Sequence, residues 1–207
     1  MGPIGSPKYR SYTADINRSA RHLLGIIDDI LDLSKIEMGQ LSMRESEVNV
    51  AQLVEEVTRL KREKAESVNV ALEMEVPRDL PRISCDETKV KQILLNLLSN
   101  SVKFTDPGDR IVISADIAPD RWLELKVADT GIGMSENDLP VAMARFGQIE
   151  NILTRTHDGV GLGLPLVANL AQLHGGTCAI ESEKGVGTTV VIRFPPERVV
   201  QLSQTGK

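Results

Sequence analysis

Residues 96–105 read NLLSNSVKFT. Asn96, Asn100 and Lys103 stand at i, i+4 and i+7 in a run otherwise rich in leucine. On a helix these positions share one face. Asparagine is a mediocre helix former that prefers caps and turns, and Glu or Lys would fill a solvated face at lower cost. A stripe of two amides and an ammonium on an apolar helix therefore reads as a binding face. The preceding Asp86 is placed to cap such a helix.

Outward from this helix the pattern alternates between strands and helices. RIVISADI (110–117) and WLELKVAD (122–129) read as a strand hairpin, and TCAIESE (177–183) with TTVVIRF (188–194) as a second. VNVALEMEV and RISC read as further strands, as does QLSMRESE after Gly39. Asn49 caps a helix expected from Val50 to about Glu66, and Ser135 with Asp138 forms a capping box that starts another. GLGLPLVANLAQLHGG reads as a helix stopped by Gly175, and 147–160 as a polar, irregular connection. The fold class is α+β: a mixed sheet with helices on one face. From about Tyr9 to Met38 a helix of some 30 residues precedes it, with Ile16, Ala20, Leu23, Leu24, Ile27, Ile30, Leu31 and Leu33 recurring at threes and fours and Gly39 as its C-terminal stop. The opening MGPIGSPKYR reads as a loop, and Pro195–Pro196 as the end of the fold. The domain reading is 1–39 for the helical arm, 40–198 for the α+β body and 199–207 for a tail.

Bulk composition bounds the function. The 207-residue chain is 41% hydrophobic and 26% charged, which suits an ordinary globular protein. A net charge of −5 and 3% aromatics argue against nucleic-acid binding through a basic or stacking surface. Cys85 and Cys178 fit no metal-ligand spacing and read as reduced, buried thiols of a cytoplasmic protein. No apolar run approaches a membrane span and no signal peptide opens the chain.

Two glycine-rich segments supply further chemistry. In VADTGIGM (127–134) a strand ends on Asp129, whose carboxylate can accept from an exocyclic amine, and Gly131 and Gly133 let a flat ring approach the backbone. In DGVGLGL (158–164) Gly159, Gly161 and Gly163 free backbone N–H groups at a helix start, which makes a phosphate cradle. It is neither a P-loop nor a Rossmann turn. The stripe then acquires a purpose: Asn100 offers a hard amide oxygen to Mg²⁺, Lys103 a point charge to phosphate, Asn96 a hold on water or the metal's hydration shell, and Phe104 a face for a base.

In this order the asparagine helix, DTGIGM, the Phe146–Gln148 stretch and GVGLGL resemble the N, G1, F and G2 boxes of sensor histidine kinases, and ESEKGVGTTVVIRFP matches as well. The resemblance covers about residues 9–196 and extends to the ATP-binding superfamily shared with DNA gyrase, mismatch-repair ATPases and a heat-shock chaperone. It implies a two-layer α/β sandwich, a histidine-kinase/gyrase-type fold, with ATP held between the asparagine helix and a lid at about 147–158. It implies Asp129 for the adenine amine, Asn100 for Mg²⁺, Lys103 and Gln148 for phosphates, and a nucleotide-binding set that adds Asn96, Phe104, Gly131, Gly133, Phe146, Gly159, Val160, Gly161, Leu162, Gly163, Leu164 and Thr189. Asn96, Asn100 and Lys103 are the catalytic candidates.

The superfamily's ATPases place a glutamate base four residues before the metal asparagine. Here that position is Asn96, which cannot take a proton from water near neutral pH, so a kinase is expected rather than a hydrolytic motor. The parent's expected partners are a response-regulator receiver domain and a second copy through the helical arm. The F box departs from the family at Met143, where a phenylalanine is usual. The phosphoacceptor helix of the family's dimerisation hairpin is not found; GPIGSP reads as its inter-helix loop and the arm as its second helix. His22 on the arm has nothing like the acceptor box around it, His157 falls in the expected lid, where it could swing near phosphate though a structural role is favoured, and His174 reads as a cation at a helix end. This chain alone is thus not expected to phosphorylate itself. The alternatives are a pseudokinase scaffold whose nucleotide sets shape, and a serine kinase of the anti-sigma type, which keeps the glutamate at the Asn96 position.

Overall fold

The computed structural model describes residues 7–148 and 160–200. The chain divides into two compact units, Met1–Leu41 and Ser42–Lys207. The first is built on one helix, α1 (Pro7–Glu37). It ends in a Schellman motif: Gly39 has φ +63°, its N–H donates to the Ile36 carbonyl at 3.0 Å, and the Gln40 N–H reaches Lys35 at 2.8 Å. Ile16, Leu23, Leu24, Ile27, Ile30 and Leu31 are exposed along it.

The second unit is the expected two-layer sandwich. Its elements are β1 (Ser46–Val48), α2 (Val50–Ser67), β2 (Ala71–Glu75), β3 (Ile83–Cys85), α3 (Glu87–Phe104), β4 (Arg110–Ile117), β5 (Leu123–Asp129), α4 (Leu139–Met143), α5 (Gly163–Leu173), β6 (Thr177–Glu183), β7 (Gly187–Phe194) and a 3₁₀ turn at Pro196–Arg198. Five strands form one sheet in the order β2-β4-β5-β7-β6. β2 runs parallel to β4, and the other neighbours are antiparallel. β1 and β3 form a separate antiparallel pair.

Period-two alternation decides which face is covered. Ile111, Ile113 and Ala115 of β4, Leu123, Leu125 and Val127 of β5, and Val190, Ile192 and Phe194 of β7 are all buried, and the register pairs them across strands. Buried on the helical side are Leu53, Val54 and Val57 of α2, Ile93, Leu94, Leu97 and Leu98 of α3, and Leu166, Val167 and Leu170 of α5. Removing one such side chain to alanine costs about 2–5 kcal/mol.

Local signals set most boundaries. Asn49 accepts the Gln52 N–H at 3.1 Å and Asp86 the Lys89 N–H at 3.1 Å, so α2 and α3 start where their caps predict. Gly175, at φ +70°, closes α5 with a second Schellman motif. Four expectations change, the first being that α1 already begins at Pro7, inside the stretch read as a loop. Of QLSMRESE only its last two residues enter strand β1; the Arg44 N–H is spent on Asp86 Oδ2 at 2.8 Å. Ser135 and Asp138 do pair, at 2.6 Å, but they close a turn, and α4 begins after it at Leu139. The chain also stays attached beyond the prolines, with the Val200 N–H donating to the Arg82 carbonyl at 2.8 Å.

Candidate functional site

α3 organises the site. Burial of its leucine face turns Asn96, Asn100 and Lys103 to the flank, where each is half-buried. α5 begins against the two amides: a Cβ on Gly163 would lie 3.5 Å from Asn100 Nδ2 and 3.9 Å from Asn96 Oδ1. The free N–H groups of this helix start thus adjoin both asparagines, an arrangement that suits an anion. One turn beyond Asn100, Lys103 holds its Nζ 4.6 Å from the centroid of the Phe104 ring.

Ser101, next to Asn100, faces the sheet. Its hydroxyl donates to Asp129 Oδ2 at 2.9 Å. Asp129 closes β5 on the helix-covered face, in register with Ile111 and Thr188. Its Oδ1 accepts the N–H groups of Gly131 (3.2 Å) and Thr188 (3.3 Å). Burial pushes this carboxyl above the usual carboxylate range, against the opposing pull of the Ser101 hydroxyl and the two N–H groups. Each carboxylate oxygen has two acceptor sites, so Oδ1 is filled and Oδ2 retains one.

Thr188 lies opposite Asp129 in the β5–β7 register, on the same face of the sheet. Ser182 Oγ donates to the Gly187 carbonyl at 3.0 Å and accepts the Met134 N–H at 2.8 Å. The Ser182 and Thr188 hydroxyls stand 2.8 Å apart, and either one can be the donor. The remaining acceptor site on Asp129 Oδ2 suits a donor such as an amino group.

The glycines of DTGIGM serve the chain's own packing. A Cβ on Gly131 would stand 2.1 Å from the Phe104 carbonyl oxygen, and one on Gly133 1.9 Å from that of Glu183. The Ile132 N–H donates to the Phe104 carbonyl at 3.0 Å, and the Ile132 carbonyl accepts from Gly185 at 2.8 Å. The segment is thus clamped between the end of α3 and the β6–β7 turn. Gly161 (φ +72°) likewise abuts Gly147, and the Phe146 N–H donates to its carbonyl at 3.1 Å. Phe146 itself has φ +59° and is 59% exposed; Gln148 is exposed.

Of the expected site residues, Asn96 and Asn100 meet Gly163 where α3 faces the start of α5, Gly131 meets Phe104 at the end of α3 beside Lys103, and Asp129 is tied to α3 through Ser101. Val160 and Leu164 are half-buried, whereas the Leu162 side chain lies in the core at 3% exposure, leaving only its backbone to meet a ligand. Gly159, most of the expected lid and His157 lie outside the described residues, as does the His22 side chain.

Two expectations are corrected. Thr189 pairs with Ala128, so its side chain is on the face opposite Asp129; Thr188 takes the place assigned to it. His174 is not a cation at a helix end. It is fully buried, and its Nε2 accepts the Asp86 N–H (3.2 Å), which leaves Nδ1 to donate to the Leu170 carbonyl (2.7 Å). Burial lowers its pKa. The cation at that helix end is Arg198, whose Nε donates to the His174 carbonyl. Ser101, Ser182 and Thr188 were missed. The signals available were a serine at a core-facing position of α3 and the parity of β7 counted from Val190.

Among the described residues no group of three or more His, Cys, Asp or Glu side chains is placed to hold a metal ion. A cation at Asn100 would draw its other ligands from phosphate oxygens and water, a donor set that suits Mg²⁺.

Comparison with known proteins agrees with this fold. Residues 85–198 match the family described as histidine kinase-, DNA gyrase B-, and HSP90-like ATPase. The non-motile and phage-resistance protein of Caulobacter vibrioides is 39% identical over 198 residues, covering 94% of this chain and 23% of that protein. The cell-division control histidine kinase PdhS of Brucella abortus is 39% identical over 208 residues, covering 97% of this chain and 20% of the kinase. Thus the chain spans a fifth to a quarter of the length of these curated relatives. Full-length ShkA, solved in complex with AMPPNP, superposes with a TM-score of 0.79 at 27% identity, covering 94% of this chain and 40% of that one.

Proposed function

The chain belongs to the histidine kinase-, DNA gyrase B-, and HSP90-like ATPase family, and on that premise we propose that it is the ATP-binding catalytic region of a histidine kinase. In this proposal the whole protein transfers the γ-phosphoryl group of ATP to a histidine, for relay to an aspartate of a response-regulator receiver domain. The observation that carries it is the Asp129 carboxyl, held by three donors among the described residues and joined through consecutive residues Ser101 and Asn100 to the glycine-started helix α5.

Each residue has a role in binding or orientation. Asp129 and Thr188 accept from the 6-amino group of adenine. The N–H groups at the start of α5, with Lys103 and Gln148, oppose the negative charge of the phosphates. Asn100 is the protein's ligand for Mg²⁺, which when bound supplies charge neutralisation on the phosphates. Asn96 sits where a general base for water would be needed and offers only an amide, so the site favours transfer over hydrolysis.

The arm belongs to the same proposal. Residues 1–39 correspond to part of a dimerisation and phosphoacceptor region, and 40–198 to the catalytic domain. The exposed stripe from Ile16 to Leu31 supports pairing with a second copy. A cytoplasmic setting suits the two free cysteines, whose thiols burial pushes up to about 12 for Cys85 and about 11 for Cys178. No described helix is long and apolar enough to cross a membrane.

The test uses labelled ATP, the intact chain, and a helical hairpin bearing a phosphoacceptor histidine supplied in trans. Acid-labile label on the hairpin histidine, and none on this chain alone, is expected. ATP binding without transfer would favour the scaffold alternative.

A further inference from the structure

We propose that Ser101 is a positioning residue that keeps the Asp129 carboxylate an acceptor-only reader of a 6-amino group, and so sets the preference of the site for adenine over guanine nucleotides. This rests on the nucleotide reading above and adds to it the residue that enforces base choice.

The direction of the hydroxyl is the first argument. Serines within helices commonly bond back to the carbonyl four residues earlier. Ser99, on the same helix, does so to Leu95 at 2.6 Å, and Ser34 to Ile30 at 2.8 Å. Ser101 instead points across to Asp129 Oδ2, from a position that is 5% exposed. Alanine would be the better helix former there. The hydroxyl therefore has a partner outside its own helix, and that partner is the carboxylate of the site.

The donor inventory is the second. Among the described residues, three groups donate to Asp129. Two are backbone N–H groups, both on Oδ1 and both at 3.2 Å or more; the Ser101 hydroxyl, at 2.9 Å, is the shortest, the one on Oδ2 and the one supplied by a side chain. Burial favours the protonated carboxyl, and these donors oppose it. The distinction matters for recognition. An ionised carboxylate accepts only, so it pairs with the amino group of adenine and repels the keto oxygen of guanine. A protonated carboxyl carries an O–H that can donate to that keto oxygen. Ser101 also fills one acceptor site on Oδ2, which aims the remaining one.

The experiment is a double-mutant cycle on the intact chain, with ADP and GDP affinities measured for the wild type, S101A, D129N and S101A/D129N, each checked by thermal melting. Expected is a fall of at least about fivefold in the ADP-over-GDP preference of S101A, with less than a twofold further change when S101A is added to D129N. A purely structural serine would weaken both nucleotides alike and leave the ratio unmoved; that result overturns the proposal. An equal S101A effect in both backgrounds overturns it too, because the serine would then act without Asp129. A wild type that binds neither nucleotide defeats the nucleotide reading itself, and this proposal with it.

Discussion

Replacing Asp129 by asparagine isolates the recognition chemistry from the fold. The asparagine Oδ1 can still accept the Gly131 and Thr188 N–H groups, and its Nδ2 can donate to Ser101 Oγ, which reverses that hydrogen bond without breaking it. What disappears is the acceptor site facing the ligand, replaced by an N–H. A hydrogen bond to a charged acceptor contributes about 1.5–3 kcal/mol. At about 1.4 kcal/mol per factor of ten, ATP affinity should fall roughly 10- to 150-fold. GTP should suffer less, since the new N–H can donate to a keto oxygen. Stability should move the other way or not at all. Burial raises the Asp129 pKa, so its ionised form works against folding at neutral pH, and asparagine carries no such charge. That stability difference should shrink as pH falls through the raised pKa and the wild-type carboxyl takes up its proton. Calorimetric titration with ATP and GTP, beside thermal unfolding without ligand, reads both effects. An ATP affinity within twofold of wild type, on a protein that melts normally, would refute the assignment of Asp129 to the amino group.

Further outcomes follow from other parts of the structure. Asn96→Glu should install a general base at that position, raising phosphate release from ATP at least about tenfold, within the usual reach of general-base catalysis; a phosphate-release assay checks it. Gly131→Ala drives a Cβ to 2.1 Å from the Phe104 carbonyl and should cost about 1–3 kcal/mol in urea unfolding, whereas Gly25→Ala, in a helix with nothing within 4 Å, should gain about 0.5–1 kcal/mol. His174 is held neutral, with a pKa below the ordinary value near 6.5. Its contribution is therefore complete above that value and is lost as pH falls below it, when the unfolded chain takes up the proton first. Stability measured from pH 7.5 to 5 should decline, and His174→Gln should flatten the decline.

Much of the site was legible before any coordinates. Asn96, Asn100 and Lys103 declared a face because helical spacing is a local property, and burial of the intervening leucines could only turn that face to the flank. Asp129 was legible as the last residue of a strand, and the GLGL segment as a helix start, read from Gly161 where α5 begins at Gly163. Ser101 was hidden. Within the helix it is one polar residue beside leucines and valines, and its partner lies 28 residues away on another element. Thr188 and Thr189 are adjacent and identical, and only the pairing of β7 with β5 separates them.

The sequence by itself determined most of the elements, four of their caps and their order: Asn49, Asp86, Gly39 and Gly175 act on neighbours within a turn, and hydrophobic period distinguishes helix from strand without reference to anything distant. The tertiary structure decided which hydroxyl meets the carboxylate, which glycines yield to backbone rather than to ligand, and that His174 is neutral. Those outcomes depend on contacts between segments far apart in the chain. Register and burial arise only when the sheet and helices close on one another, and no local pattern carries them.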